Sequence, residues 1–127
     1  MADPSSEPAA ANMLRIEHLV VLGSTVLTPV GEIDSLTTPL LRQAVTEAAA
    51  EDGTVVLDLG RVEFLGSVGL VVLVEASSGQ LGPATLRIVP GSRRAVGRAI
   101  SAAGLIEVLA LYDTVEQALA ASEAESA

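Results

Sequence analysis

The chain of 127 residues has no cysteine, no tryptophan and one histidine, and only 2% of it is aromatic. Without cysteine there is no disulfide framework, no thiolate-held zinc and no thiol chemistry. With His18 as the sole histidine, a histidine-rich metal site is excluded, and neither metal nor cofactor is expected; His18 itself reads as a strand residue. A core short of aromatic rings must be built from interdigitating Val, Leu, Ile and Ala. No apolar run approaches the roughly 18 residues that span a bilayer. The amino terminus carries Asp, Ser, Glu and Pro where a secretory leader has a basic and then an apolar segment. The expectation is a cytoplasmic protein without membrane insertion. Lysine is missing too: the seven basic residues are all arginine and stand against sixteen acids, for a net charge of -9. That field repels a phosphate backbone, so direct nucleic-acid binding is not expected. Arg87, Arg93, Arg94 and Arg98 nevertheless fall close together and offer a local basic patch.

What remains is half hydrophobic and long enough for one domain with a sizeable core. Residues 1–12 show no apolar period and read as a disordered tail, residues 13–121 as the domain, and residues 122–127 as a frayed end. Leu14 to Leu22 is strand-like, Gly23-Ser24 marks a turn, and Thr25 to Val30 returns as a second strand whose Pro29 argues for an edge or a strand end. Thr38 before Pro39 is the expected cap of a helix carrying Leu40, Leu41, Ala44, Val45, Ala48 and Ala49 on one face. After Asp52-Gly53, Thr54 to Leu59 is a nearly continuous apolar strand, the pattern of burial on both faces. A glycine-stopped helix comes next, from Ser67 to about Gly79, then a strand at Thr85 to Val89 and a helix from Arg93 to Ala103 that ends at Gly104. Ile106, Val108, Leu109 and Leu111 read as a short strand or extended segment. Thr114 and Gln117 have capping-box spacing for a final helix over Val115 to about Ala121. The predicted fold class is α/β, a single domain with a mixed sheet flanked by about four helices. Loops at Gly31 to Thr37, Gly60 to Gly66 and Pro90 to Ser92 then leave one edge of the sheet, with Ser67 among them.

The stretch Phe64-Leu65-Gly66-Ser67-Val68-Gly69-Leu70 sets a lone serine at the start of an apolar helix. Such a serine commonly caps its helix, and the same position favours an anionic group on the hydroxyl. A hydrolase nucleophile is a poor fit, because Leu65 occupies the first glycine position of the G-x-S-x-G elbow and His18 precedes the serine. Glu32 and Asp34 are an acid/base pair only if a cleft holds them; loop acids beside a helix start are ordinarily solvated. There is no phosphate-binding loop motif.

Two motifs together, Val30-Gly31-Glu32-Ile33-Asp34 before a helix and Gly66-Ser67-Val68-Gly69-Leu70 after the strand Val55-Val56-Leu57-Asp58-Leu59, resemble the STAS domain of bacterial anti-sigma factor antagonists. The resemblance covers about Leu14 to Ala121. It implies a domain with no enzymatic activity that binds an anti-sigma factor of the histidine-kinase-like ATPase fold and releases a sigma factor for transcription, as in a stress response. It further implies that this partner phosphorylates Ser67, that a phosphatase reverses the modification, and that partner contact is made by Glu32, Ile33, Asp34 and Ser35 with Gly66, Ser67, Val68, Gly69 and Leu70. The family often has aspartate immediately before the serine; this chain has Gly66. The same resemblance admits two further readings, an antagonist that never uses Ser67 chemically and an accessory subunit of a membrane transport complex.

A phosphate at Ser67 would add about -1.5 to -2 charges. It is tolerated at a helix start and costly in a closed interface; a loss of about 2.8 kcal/mol there weakens binding a hundredfold. Arg93 or Arg94 is placed to pair with it if its loop shares the edge.

Overall fold

The computed structural model describes the backbone of residues 13–126 and side chains as far as residue 121. The expected tail at residues 1–12 lies outside the described residues, as does Ala127. Strands β1 (Leu14–Val21) and β2 (Ser24–Ile33) form an antiparallel hairpin running from Val21 opposite Ser24 to Leu14 opposite Gly31. Helix α1 (Thr38–Ala48), β3 (Thr54–Asp58), β4 (Val62–Leu65), α2 (Ser67–Ser77), β5 (Thr85–Val89), α3 (Arg94–Ala102) and α4 (Val115–Ser126) complete the chain. The sheet order is β1-β2-β3-β5, with β4 also pairing with β2. All pairs but the hairpin are parallel, so β2, β3, β4 and β5 end at the same edge of the sheet. Among the described residues the predicted mixed sheet, flanked by about four helices, is what forms.

The apolar run at Thr54 to Leu59 is central because it has to be. Val55 and Leu57 enter the main core with Leu27, Leu41, Val45, Leu73, Ile88 and Ile100. Val56 points the other way, into a smaller cluster with Val26, Val89 and Ala118 of α4. Successive residues of a strand face opposite sides, and here both sides are covered. Among the described residues no helix is long and apolar enough to cross a membrane.

Several local expectations are corrected. Pro29 lies inside β2, not at an edge. It falls in the interval where β2 has left β3, after Leu27, and has not yet met β4, at Gly31, where a missing N–H costs a ladder least. The Gly60 to Gly66 loop contains a strand, β4, which continues the line of β3 along β2 after a jog at residues 59–61. Thr37, not Thr38, occupies the cap position of α1. Asp34 fixes this: its Oδ1 accepts from the N–H of Leu36 at 2.9 Å and of Thr37 at 3.0 Å, while the buried Thr37 hydroxyl donates to the Glu32 carbonyl at 2.8 Å. Thr38 is thereby drawn into the first turn, where its hydroxyl donates to the Asp34 carbonyl. The segment Ile106 to Leu111 is mostly turn, and only Leu111 makes a bridge, to Ile88. Helix α4 runs to Ser126, beyond the expected end near Ala121. Its start has the predicted cap, the Gln117 N–H donating to Thr114 Oγ1 at 3.1 Å.

The hairpin turn puts Leu22 at φ 52° and Gly23 at φ 82°, the left-handed pair of a tight turn that suits Asn-Gly. A leucine there is strained by roughly 1–2 kcal/mol and gains nothing from burial. Replacing Leu22→Asn is expected to stabilise the fold by about 1 kcal/mol, read as a higher urea midpoint at unchanged slope.

Candidate functional site

The edge where the parallel strands end brings the two sequence motifs together. Ile33 closes β2 opposite Leu65, which closes β4, and the Gly66 N–H donates to the Ile33 carbonyl at 2.9 Å. The loop of Asp34, Ser35 and Leu36 therefore starts beside the strand-to-helix junction at Gly66 and Ser67. Gly66, extended at φ -84° and ψ 172°, holds the cap position of α2, and no side chain caps the helix. Ser67 is the first helical residue and not the cap expected of it. Its hydroxyl is exposed and makes no hydrogen bond among the described residues.

Helix α2 can begin this close to the sheet because residue 69 is glycine. A Cβ there would stand 2.6 Å from Ile33 Cγ2 and 2.7 Å from Leu65 Cδ1. Buried Ile33 and Gly69 thus shape the site from beneath, while Ser35, Ser67 and Val68 form its surface and Glu32, Asp34, Gly66 and Leu70 are half-buried. Three large apolar side chains within four residues of Ser67 are exposed: Phe64 (49%), Val68 (42%) and Val71 (51%). Shallow grooves flank α2. One of about 530 Å³ runs between α1 and α2 past Ser35, Pro39, Arg42 and Val68. Another of the same size leads from Ser67 past Leu70, Val71 and Val74 to Ala103 and Leu105. Arg42 and Glu75 form an ion pair that ties α1 to α2.

The chain's one histidine does not stand beside the serine. His18 lies opposite Leu27 in the hairpin, six residues back along β2 from Ile33, or roughly 20 Å at the rise of a strand. The Asp34 carboxylate is committed to two backbone N–H groups of its own turn, so it is a structural residue before it is an acid. Among the described residues no group of three or more potential ligands is placed to hold a metal ion. Arg93 lies 3.9 Å from Glu63 of β4, which sets the loop after β5 beside the strand that leads into Ser67. The sequence reading missed Phe64, Leu36 and Val71 as exposed surface. Phe64 carried a faint signal as the chain's one phenylalanine, but its outward direction comes from the register shift between β2 and β4 at Gly31 and Glu32.

Substituting Gly69→Ala is expected to destabilise the domain by about 1–3 kcal/mol, because overpacking outweighs the gain in helix propensity. Gly66→Asp is expected to stabilise it by a few tenths of a kcal/mol through a side-chain cap. Urea unfolding of both variants checks the opposite signs.

The fold recurs in known proteins. The STAS domain profile matches residues 14–118. The anti-sigma-F factor antagonist RsfB of Mycobacterium tuberculosis is 39% identical over 98 residues, which is 76% of this chain and 80% of that protein. The crystal structure of an anti-sigma factor antagonist from Mycobacterium paratuberculosis superposes with a TM-score of 0.78 at 33% identity, covering 97% of this chain and 99% of that one. The anti-sigma factor antagonist SpoIIAA in its unphosphorylated form shares the fold, with a TM-score of 0.59 at 17% identity over 84% of this chain and 92% of its own. By sequence and by structure, the chain belongs to the STAS domain family of anti-sigma factor antagonists.

Proposed function

We propose that this protein binds an anti-sigma factor through the surface around Ser67 and so frees a sigma factor, and that phosphorylation of Ser67 by that same partner ends the binding. The observation that carries the reading is the state of the serine: an exposed, unbonded hydroxyl on the first residue of α2, with exposed Phe64, Val68 and Val71 within four residues of it along the chain. Apolar surface of this kind closes well against a partner while the serine is uncharged. The partner in this reading is a cytoplasmic serine kinase of the histidine-kinase-like ATPase fold, which moves the γ-phosphoryl group of ATP onto Ser67 Oγ as ADP leaves and the hydroxyl proton is lost. A phosphatase restores the hydroxyl. The domain catalyses nothing itself.

The site suits such a switch physically. The first N–H groups of a helix lack intrahelical acceptors, and no side chain fills them at α2. They and the helix dipole accommodate a phosphate without unfolding the domain. The penalty falls on the complex, where about two negative charges would be desolvated against an apolar surface. Gly66 supports a second reading, an antagonist that binds without modification, since the acid common at this position in the family is missing.

Substitution tests the surface that the two readings share, and labelling separates them. Ser67→Glu is expected to weaken binding to the anti-sigma factor by about tenfold or more, equivalent to at least 1.4 kcal/mol, while Ser67→Ala binds as tightly as the native chain and takes up no phosphate. Calorimetry with purified anti-sigma factors gives the affinities, and mass spectrometry after incubation with ATP locates the phosphate. A phosphate on another residue, or none with every factor that binds, would leave only the modification-independent reading.

A further inference from the structure

We propose that the outward face of α3 is a docking surface for an acidic helical segment of another protein. Arg94, Gly97, Arg98 and Ser101 lie at helical spacing on one side of α3, all exposed, while Val96 and Ile100 anchor the opposite side in the core. In a chain of net charge -9 with sixteen acids, arginines readily find partners, and most do. Arg15 and Arg61 meet Glu17, Arg42 meets Glu75, Arg93 approaches Glu63, and buried Arg87 stacks over Tyr112. Among the described residues Arg94 and Arg98 make no ion pair or hydrogen bond.

Three choices on this face run against local physics. Like charges one turn apart repel. Arg94 stands in the first turn, where the helix dipole disfavours a cation. Gly97 weakens a helix interior, yet a Cβ at this position would touch nothing within 4 Å and its backbone angle does not require glycine. Nothing among the described residues accounts for that glycine, whereas a flat notch between two guanidinium groups lets a second backbone approach closely. Charge complementarity then selects the occupant: carboxylates one helical turn apart match the spacing of Arg94 and Arg98. Two arginines against a field of -9 are too few for a phosphate backbone, and a face of glycine, serine and arginine has no apolar side chain to insert into a membrane.

The test uses the full chain labelled with nitrogen-15 and needs no knowledge of the partner at Ser67, so its failure and that of the proposed function are read separately. Two synthetic helical peptides serve as probes, one with glutamate at every fourth position and one with glutamine there. The glutamate peptide is expected to shift the amides of Arg94 to Ser101 saturably, and the glutamine peptide to leave them in place. The double substitution Arg94→Glu with Arg98→Glu is expected to weaken the interaction about tenfold or more. Gly97→Gln is expected to raise the melting temperature, as the helix gains propensity, and yet to weaken peptide binding. A merely structural role for this face would not give those opposite signs. Shifts that are absent, that scatter over the domain or that are equal for the two peptides overturn the proposal, as does saturable binding of single-stranded RNA or anionic vesicles at this face while the glutamate peptide is silent.

Discussion

The close approach of α2 to the ends of β2 and β4 is the contact on which the rest of the molecule depends. It consists of a glycine without the Cβ that would strike Ile33 and Leu65, and of one backbone bond from Gly66 to the Ile33 carbonyl. For that bond to form, the chain leaving β3 has to stay alongside β2 through β4. It does so by jogging at residues 59–61, where the Gly60 N–H turns back to Asp58 Oδ1 at 3.0 Å and the Leu59 N–H donates to the Val89 carbonyl at 2.8 Å. The jog passes so close to the loop after β5 that a Cβ on Gly91 would lie 2.5 Å from the Gly60 Cα. One contact thus fixes the start of α2, draws in the loop of Asp34 and sets where the chain enters α3.

That contact divides labour among residues that look alike in sequence. Ile33 and Val68 are both apolar members of the two motifs, but Ile33 is core and Val68 is surface. Asp34 and Glu32 both read as loop acids in the sequence, but Glu32 belongs to β2, opposite Phe64, and gives the turn before α1 only its carbonyl, while the Asp34 carboxylate builds that turn. A change at Ile33, Asp34 or Gly69 therefore acts on the fold first, and a change at Ser35, Ser67 or Val68 leaves the fold intact. Loss of binding on substitution of the first three would therefore mix a change in the fold with any change in contact, because these residues hold the surface in place.

Much of this was legible locally and the rest was not, for reasons that can be named. Helices α1 and α3 announce themselves by apolar residues at 3.6-residue spacing, and β3 by a run with no polar face. The junction at Ser67 was found because a break in apolar sequence at Gly-Ser is a local signal. Strand β4 had no such signal: Val-Glu-Phe-Leu is short, and only its distant pairing with Gly31, Glu32 and Ile33 makes it a strand. Pro29 was misplaced for the same reason, since a proline inside a central strand is tolerable only where the strand changes partner, which is a tertiary fact. The cap of α1 moved by one residue because the side chain of Asp34, three residues before Thr37, outweighed the bias that proline puts on the residue before it. Exposed Phe64 could not be read at all without the shifted register.

The same distinction bears on Gly66. Neither packing nor backbone imposes glycine there: φ is an ordinary -84°, and a Cβ would meet the half-exposed Phe64 ring at 3.2 Å and the Ile33 carbonyl at 3.5 Å, a crowding that a small ring movement relieves. The effect of the glycine is therefore electrostatic. An aspartate at the cap would occupy the first N–H groups of α2 and place a charge beside Ser67, so that in either state of the serine the surface would close on a charge that must be desolvated. With Gly66 the unmodified helix end carries no side-chain charge and its N–H groups have no side-chain cap. A phosphoryl group on Ser67 would then supply the whole of the local negative charge, with no like charge a few ångströms away, an interaction worth about 1 kcal/mol at 4 Å even in water. On these grounds the missing acid would leave a phosphorylated Ser67 without a like charge beside it and an unmodified Ser67 without a charge to desolvate, so glycine at the cap is compatible with either reading of the serine.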